Sequence, residues 1–148
     1  MDDARVIENL IYTYAERIDA GDLEGVAALF QNATISSPQH STSNHGYEEV
    51  LAMYKASCRL YPDCGTPKTR HLTSNVIIEV EQSQASARSC YTVFQSTPKL
   101  GLQPIISGRY NDSFSLYDGN WRFAKREMFV DLLGDLSAHL LYDASRIS

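Results

Sequence analysis

The sequence contains no cluster of lysine and arginine residues that would give the protein a positively charged face. It has 13 basic and 18 acidic residues, for a formal net charge of −5. Binding to nucleic acids depends on basic side chains that neutralise phosphates. This balance therefore argues against a nucleic-acid-binding role.

Long apolar runs are also missing, since no stretch approaches the roughly 20 residues of a membrane span. The chain begins with Met1, Asp2 and Asp3, whereas a secretory signal is first basic and then apolar. Three cysteines are an odd number, which rules out a full disulfide framework. We therefore expect a cytoplasmic protein without membrane contact.

Motifs for cofactors and metals are absent from the sequence. It has no glycine-rich phosphate loop, no nucleophile elbow and no dinucleotide fingerprint. His40 and His45 lie in a predicted loop, and no spacing of His, Cys and Asp suits a metal ion. Cys58 and Cys64 could form a bridge, but free thiols are the favoured prediction. We expect neither a cofactor nor a metal.

The 148 residues fit a single domain whose N-terminal part has helical periodicity. An amphipathic helix is predicted over residues 3–20, with Asp2 or Asp3 at its start and Gly21 at its end. Asp22 is placed to cap a second helix that runs to Phe30, and a third is predicted over about residues 46–60. Residues 36–44 and 61–68 are predicted to be loops.

Beyond residue 69 the hydrophobic period is two, which predicts four strands over residues 70–81, 85–96, 104–117 and 121–131. Asp118 and Gly119 form a strong hairpin signal between the last two. Helices followed by consecutive antiparallel strands predict an α+β domain with helices on one face of a bent sheet. The leucine-containing segment 132–148 is predicted to be a short helix, or a tail packed on the sheet or on a partner chain.

Three motifs occur in the same order as in a known family. They are Tyr12-x-Tyr14-Ala15-x-Arg17-x-Asp19-x-Gly21-Asp22, then Arg70-His71-x-x-x-Asn75, and finally Gly108-Arg109-Tyr110-x-Asp112 with Asp118-Gly119-x-Trp121-Arg122-x-x-x-Arg126. With these motifs, nearly the whole chain resembles the SnoaL-like group of the nuclear transport factor 2-like superfamily. The resemblance implies a cone-shaped α+β barrel, with three helices closing over a curved antiparallel sheet around a deep apolar pocket.

Asp19 and His71 are the first candidate catalytic residues. Asp19 lies near the C-terminal end of the first predicted helix, where the helix dipole disfavours a carboxylate. In scytalone-dehydratase-like, bile-acid-dehydratase-like and hexachlorocyclohexane-dehydrochlorinase-like relatives, an aspartate at this helix position pairs with a histidine on the first long strand. The resemblance places His71 at that histidine. The alternatives are that Asp19 caps the helix end or contacts water, and that His71 is a partly buried structural residue.

Such a pair is suited to acid–base catalysis. An imidazole has an ordinary pKa of about 6.5, so it both accepts and returns a proton near neutral pH. A carboxylate on its other nitrogen fixes the tautomer and stabilises the imidazolium. The pair could remove a proton from a carbon next to a carbonyl group, or deliver one to a leaving hydroxyl, without a cofactor.

Further residues are predicted to contact a substrate. Strand alternation places Asn75 on the same face as His71, where it would bind polar groups. Tyr14 lies about 140° from Asp19 around the helix. It is predicted to polarise a substrate carbonyl, with a core aromatic as the alternative. Tyr47 and Tyr54 on the third helix are also candidates, and the sequence leaves open which one faces the pocket.

A set of residues on the last two strands is predicted to form ion pairs on the outer face or rim of the sheet. Its members are Arg109, Tyr110, Asp112, Arg122 and Arg126. Alternation places Arg122 and Arg126 on one face, and it separates Arg109 from Asp112. Limonene-epoxide-hydrolase-like relatives need an Arg-x-Asp triplet on one strand. The spacing of Arg109 and Asp112 places them on opposite faces, which argues against that mechanism. The resemblance in addition implies that Arg126 is a candidate to bind an anion or carbonyl of the substrate, because some relatives carry a catalytic or binding arginine on this strand.

The favoured function is a cofactor-independent lyase or isomerase that acts on a small hydrophobic cyclic molecule. A polyketide, a steroid-like compound or a substituted ring would suit it. One alternative is a non-catalytic subunit similar to the β subunit of ring-hydroxylating dioxygenases. Another is a module that only binds a small hydrophobic ligand. We expect the chain to form a homodimer or homotrimer.

Overall fold

The computed structural model describes residues 2–143 of the chain. Its helices are α1 (Asp3–Asp19), α2 (Leu23–Leu29) and α3 (Gly46–Ser57), with a short 3-10 helix at Pro38–His40. Its strands are β1 (Thr34–Ser37), β2 (Thr42–His45), β3 (Thr69–Glu81), β4 (Gln84–Thr97), β5 (Leu100–Tyr117) and β6 (Asn120–Leu133). The strands form one curved sheet in the order β2-β1-β6-β5-β4-β3. The predicted α+β class, with helices over a curved sheet, is confirmed, and the described sheet is not closed into a full barrel.

The three predicted helices and four long strands are present with small differences at their ends. The loop predicted over residues 36–44 is wrong, because this region contains β1, the 3-10 helix and β2. β1 pairs in parallel with β6, through residues such as Ile35 opposite Arg126. This pairing partner is distant in sequence, so the short polar segment carries no local pattern that reveals a strand.

α1 is defined at both ends by its own sequence. The Asp2 side chain accepts a hydrogen bond from the backbone N–H of Arg5 and caps the helix start. At the other end Gly21 adopts a φ of 76°, with the N–H of Gly21 on Ile18 and that of Asp22 on Arg17. These two bonds form a Schellman motif, which satisfies the last carbonyls of the helix and fixes where α1 stops.

The face of the sheet that packs on the helices, here called the inner face, carries the core. The buried apolar stripe of α1 meets inward-facing aromatic and aliphatic side chains of β4, β5 and β6. Fully burying one large apolar side chain stabilises a fold by roughly 1.5–3 kcal/mol. Fully or almost fully buried members include Ile7, Ile11, Val26, Phe30, Val50, Ile105, Phe114 and Phe123. Packing of the helices on this face therefore holds α1 against the sheet.

Two of the register shifts in the sheet overturn predicted strand faces. In β3, the pairing with β4 shifts between Ser74 and Ile77, where Asn75 has a φ of 54°. His71 therefore faces inward opposite the buried Val93, whereas Ile77 faces outward opposite Arg88. The predicted common face for His71 and Asn75 is wrong, because a one-residue insertion reverses strand alternation.

The second bulge lies in β6, where the pairing with β5 skips Ala124. Asp112 is opposite Arg126 on one side of it, and Ser115 is opposite Arg122 on the other. Arg126 is buried on the inner face, while the Arg122 guanidinium stacks on the Tyr117 ring near the strand end. The predicted common face for Arg122 and Arg126 is therefore wrong for the same physical reason.

The chain after β6 packs back on the domain. Leu136 is buried, Leu140 forms an isolated β-bridge with Cys58, and the N–H of Leu141 bonds to the carbonyl of Ser57. Of the alternatives predicted for segment 132–148, residues 134–143 form a tail packed on this chain, and residues 144–148 lie outside the described part. No helix within residues 2–143 has the length and apolarity needed to cross a membrane.

Gly21 is expected to be essential for the end of α1. A β-carbon at Gly21 would collide with the backbone carbonyl of Gly65, in addition to the strain of its positive φ. Gly65 has a similar φ of 73°, but a β-carbon there would meet no atom within 4 Å. We predict that Gly65→Ala costs about 1–2 kcal/mol of unfolding free energy.

Gly21→Ala is predicted to cost clearly more than Gly65→Ala, as measured by urea unfolding. The difference between the two variants isolates the backbone collision from the conformational strain. Equal losses would show that the close approach of the two glycines does not constrain the fold.

Candidate active site

Asp19, the last residue of α1, is held by three hydrogen bonds from β3. Its Oδ1 atom accepts from the Thr69 hydroxyl at 2.9 Å and lies 2.6 Å from Nδ1 of His71. Its Oδ2 atom accepts from the backbone N–H of His71 at 2.7 Å. The helix dipole disfavours a carboxylate at this position, and the three donors offset that cost. The predicted contact between Asp19 and His71 is therefore present.

The pair is largely shielded from solvent. The side chain of His71 is 8% exposed and that of Asp19 is 14% exposed. Since Nδ1 of His71 is engaged by the carboxylate, Nε2 is the ring nitrogen left to exchange a proton with another molecule. The backbone bond to the same carboxylate fixes the position of β3 relative to α1, so the imidazole is oriented at two points.

Buried tyrosines lie beside His71 inside the domain. The hydroxyl groups of Tyr14 and Tyr54 are 2.7 Å apart, and the Tyr14 ring packs edge-on against the His71 ring at 6.3 Å. Burial raises the pKa values of Tyr14, Tyr54 and Tyr110 above the ordinary value. These hydroxyls consequently stay protonated near neutral pH, and one proton of the Tyr14–Tyr54 pair is used in the bond between them.

Of the two tyrosines predicted on the third helix, Tyr54 therefore faces the interior next to Tyr14. Tyr47 is half-buried and packs against the edge of the core. Asn75, predicted to bind substrate beside His71, is exposed in the β3 bulge. The structure thus brings Asp19, His71, Tyr14 and Tyr54 together but leaves Asn75 apart from them.

Arg126 and Asp112 form a fully buried ion pair in the interior. Nε of Arg126 donates to Oδ1 of Asp112 at 2.8 Å, and Nη2 donates to Oδ2 at 2.9 Å. Both side chains have no exposed surface. The outer-face or rim position predicted for this pair and for Tyr110 is wrong: Tyr110 and Asp112 lie on the inner face of β5, and the β6 bulge turns Arg126 to the same face. Arg109 does lie outside, where it pairs with the exposed Asp131.

The buried guanidinium also contacts the tyrosines. It lies 3.7 Å from the centre of the Tyr110 ring and 4.5 Å from that of Tyr14. Burial alone lowers the pKa of Arg126, but the Asp112 carboxylate raises it above the ordinary value, so the group stays charged. Its Nη1 atom is buried without a hydrogen-bond partner among the described residues. The two N–H groups of Nη1 are therefore the part of the cation that the ion pair with Asp112 does not use.

His139, to which no sequence motif points, is a largely buried histidine whose pKa is influenced by His71 and Asp19, the aspartate–histidine dyad. Its pKa is lowered to about 4 by burial and by the neighbouring His71, with a smaller opposite effect from Asp19. Its Nδ1 atom is buried and has no partner among the described residues. In the sequence His139 lies between the apolar residues Leu136 and Leu140. This position indicates a packed segment, but no periodicity or motif relates His139 to Asp19.

Other predicted features have simpler outcomes. Cys58, Cys64 and Cys90 are all free, which confirms the favoured prediction of unbridged thiols.

A depression of about 240 Å³ lies on the outer side of the sheet, with Ile77, Arg88 and Lys125 in its lining. It is on the opposite side from the dyad, and the deep apolar pocket between helices and sheet stays a prediction.

These observations define an α+β domain whose helices and curved sheet enclose an aspartate–histidine pair, buried tyrosines and a buried ion pair. The chain matches the model of the SnoaL-like domain family over residues 1–127, and it belongs to that family. The predicted family resemblance is confirmed.

Solved structures share the fold. Rv3472 from Mycobacterium tuberculosis, of unknown function, is 26% identical with a TM-score of 0.71, over 88% of this chain and 77% of that chain. A Novosphingobium aromaticivorans protein provisionally named scytalone dehydratase is 24% identical with a TM-score of 0.68, over 88% of this chain and 85% of that chain. The β subunit of a provisionally named aromatic-ring-hydroxylating dioxygenase from the same organism is 23% identical with a TM-score of 0.67, over 87% of this chain and 89% of that chain. The comparison with curated proteins found no match.

The buried ion pair is expected to be far more sensitive to mutation than the exposed one. Asp112→Ala leaves the guanidinium of Arg126 buried and uncompensated, and we predict a loss of about 3–5 kcal/mol. Asp131→Ala removes the exposed partner of Arg109 and is predicted to cost less than about 1 kcal/mol. Chemical unfolding of both variants measures the difference, and similar losses would contradict the buried position of Asp112.

The low pKa of His139 predicts a pH dependence of stability. The unfolded chain binds a proton at this histidine below about pH 6.5, whereas the folded protein binds it only near pH 4. Stability that is present above pH 6.5 is therefore lost as the pH falls towards 4, by up to about 3 kcal/mol.

Unfolding free energies measured between pH 4 and 7 test this pH dependence. His139→Asn is predicted to flatten the slope in this window. A slope that His139→Asn does not change would contradict the assignment.

Proposed function

We propose that the protein is a cofactor-independent lyase or isomerase that moves protons on a small hydrophobic cyclic ketone. The observation that carries the proposal is the contact between Asp19 and His71, at 2.6 Å and inside the domain. An imidazole held this way by a carboxylate presents its other nitrogen as a base of defined tautomer and direction.

The proton transfers follow from this geometry. Nε2 of His71 takes the proton from a ring carbon next to the carbonyl group, and the carbon–hydrogen bond electrons pass into an enolate. Asp19 stabilises the imidazolium that results. In an isomerisation the imidazolium returns the proton to a different carbon. In a dehydration it protonates the departing hydroxyl, so that the carbon–oxygen bond breaks and water leaves.

Tyr14 and Arg126 supply the positive field for the enolate oxygen in this proposal. The Tyr14 hydroxyl is a protonated donor next to His71, and Tyr54 orients it through their 2.7 Å contact. Arg126 remains charged beside the Tyr14 ring and has one unpartnered donor atom. Such fixed donors stabilise developing charge more than water does, since they need no reorganisation. Tyr47 is proposed to contact the outer part of the substrate.

The relatives agree with this class of reaction without identifying the substrate. The fold is shared with a protein provisionally named scytalone dehydratase. It is also shared with a provisionally named dioxygenase β subunit, which keeps a non-catalytic binding role as the second candidate. The buried Asp19–His71 contact favours catalysis, because a module that only binds an apolar ligand has no need of an oriented base.

Exchange of deuterium into a cyclic ketone tests the proposal directly. We predict that the protein accelerates deuterium uptake next to the carbonyl of 1-tetralone in D₂O, as followed by NMR. His71→Ala and Asp19→Asn are each predicted to slow this uptake by about 100-fold or more, because they remove the base or its orientation.

His45→Ala is the matched control, since it removes an exposed histidine and should leave exchange unchanged. Melting temperatures of all variants show whether they remain folded. Binding of 1-tetralone without faster exchange would support the second candidate function, and exchange that is independent of His71 would overturn the proposed one.

A further inference from the structure

The outer face of the sheet, defined here as the face turned away from the helices, is open to solvent. In its middle the side chains of Arg88 and Lys125 are 65% and 50% exposed. At one end Leu72 and Leu132 are 54% and 68% exposed. This face is therefore available to another molecule, and strand pairing defines how its side chains are arranged.

The pairing places outward side chains in rows that cross the four long strands, because residues opposite each other in neighbouring strands lie side by side. At one end of the face a row runs from Leu72 in β3 through Thr92 and Ser107 to Leu132 in β6. The hydroxyl groups of Thr92 and Ser107 are 2.8 Å apart and satisfy each other. This row has a leucine at each end, so it is nearly the same in both directions.

A second row, further along the strands, has opposite charges at its ends. It runs from Glu79 in β3 through Ser86 and Ser113 to Lys125 in β6. The two serines are short, and the depression of about 240 Å³ lies here with all four side chains in its lining. The face is consequently low in the centre of this row and has long charged side chains on either side.

The row at the far end repeats the same order of charges. It begins at Glu81 in β3 and ends at Arg122 in β6. In these two rows the anions lie on β3 and the cations lie on β6. A face of this kind is complementary to a copy of itself after a half-turn, because each anion then meets a cation and each contact occurs twice.

Two sheets that pack face to face keep their strands aligned within about 30°. A two-fold axis parallel to the strands places β3 over β6 of the second copy and keeps the rows together. Glu79 then meets the partner's Lys125, and Leu72 meets the partner's Leu132. An axis across the strands reverses the order of the rows and places Leu72 against the partner's Glu81. The side chains therefore favour the axis parallel to the strands.

The middle of the face is compatible with this packing. Ile77, Arg88, Asn111 and Glu127 form the row next to the serines. The partner's Glu127 lies opposite Ile77 and one strand away from Arg88, whose side chain is long enough to reach it. Within its own chain Arg88 has only a 4.0 Å ion pair with Glu79 to give up.

The face is also large enough for a specific contact. Four strands spaced about 4.8 Å apart, over about ten residues of length, cover roughly 600 Å² on each copy. The total of roughly 1,200 Å² lies at the lower end of specific protein–protein interfaces.

We propose that the protein forms a two-fold dimer in which the outer sheet faces of two copies pack together. Glu79 of each copy pairs with Lys125 of the partner subunit, and Leu72 packs on Leu132 of the partner subunit. The dyad lies on the inner side of the sheet, so this inference does not depend on the proposed function.

Charge reversal tests the pairing. Glu79→Lys places two lysines opposite each other in both contacts, and Lys125→Glu places two glutamates there. Each variant is expected to raise the dissociation constant of the dimer by about tenfold or more, measured by sedimentation equilibrium. The double variant should recover most of the affinity. Within one chain the two residues lie three strands apart, about 14 Å, so the recovery reports a contact between copies.

Glu16→Lys is the matched control. It makes the same change of net charge as Glu79→Lys, but at an exposed position of α1 on the other side of the domain. It should leave the dissociation constant unchanged. Melting temperatures of all variants show whether they remain folded.

Cross-linking of the unaltered protein tests the same contact without a variant. A carbodiimide joins the carboxylate of Glu79 to the amine of Lys125 as an amide with loss of water. Mass spectrometry of the covalent dimer is expected to show this link. A protein that is monomeric or trimeric in solution, a dimer that neither single variant weakens, a double variant that does not recover, or a dimer cross-linked elsewhere would overturn the proposed packing.

Discussion

The set of hydrogen bonds from β3 to the Asp19 carboxylate is the interaction on which the candidate site depends. It joins the end of the first helix to the start of the first long strand, with donors from Thr69 and from both the backbone and the ring of His71. A carboxylate at a helix C-terminus is unfavourable by itself. The donors supplied by the sheet offset this cost, so the geometry of the dyad depends on the docking of α1 against β3.

A second polar centre lies deeper in the domain. The guanidinium of Arg126 is neutralised by Asp112 and covered by the rings of Tyr14 and Tyr110. A buried ion pair of this kind gives little net stability compared with an apolar replacement of the same volume. What the pair does provide is a fixed positive charge against the rings of Tyr14 and Tyr110.

The sequence was informative wherever local chemistry decides the structure. The α1 cap at Asp2, its Schellman end at Gly21 and the hairpin at Asp118 and Gly119 each depend on a few adjacent residues. The long strands were predicted for the same reason, since period-two alternation persists over many residues. The Asp19–His71 contact was predicted only through family resemblance, because no local rule relates positions separated by 52 residues.

The wrong predictions of strand faces have a different origin. One extra residue at Asn75 in β3 and another at Ala124 in β6 reverse the strand faces that alternation predicts. Because of the second, Arg126 lies in the core and not in the predicted surface pair. The asparagine at positive φ was a weak signal of the first bulge, since this residue tolerates the left-handed region. The alanine gave no signal of the second.

What the sequence by itself determined is therefore the set of helices, the long strands and their turns, all of which follow from short-range preferences and hydrophobic period. Only the tertiary structure decided which side chains face the interior, that β1 joins the sheet beside β6, and that residues 134–143 pack back on the domain. The physical reason is that register and long-range docking depend on the packing of distant segments, and a single inserted residue reverses a strand face without changing its composition.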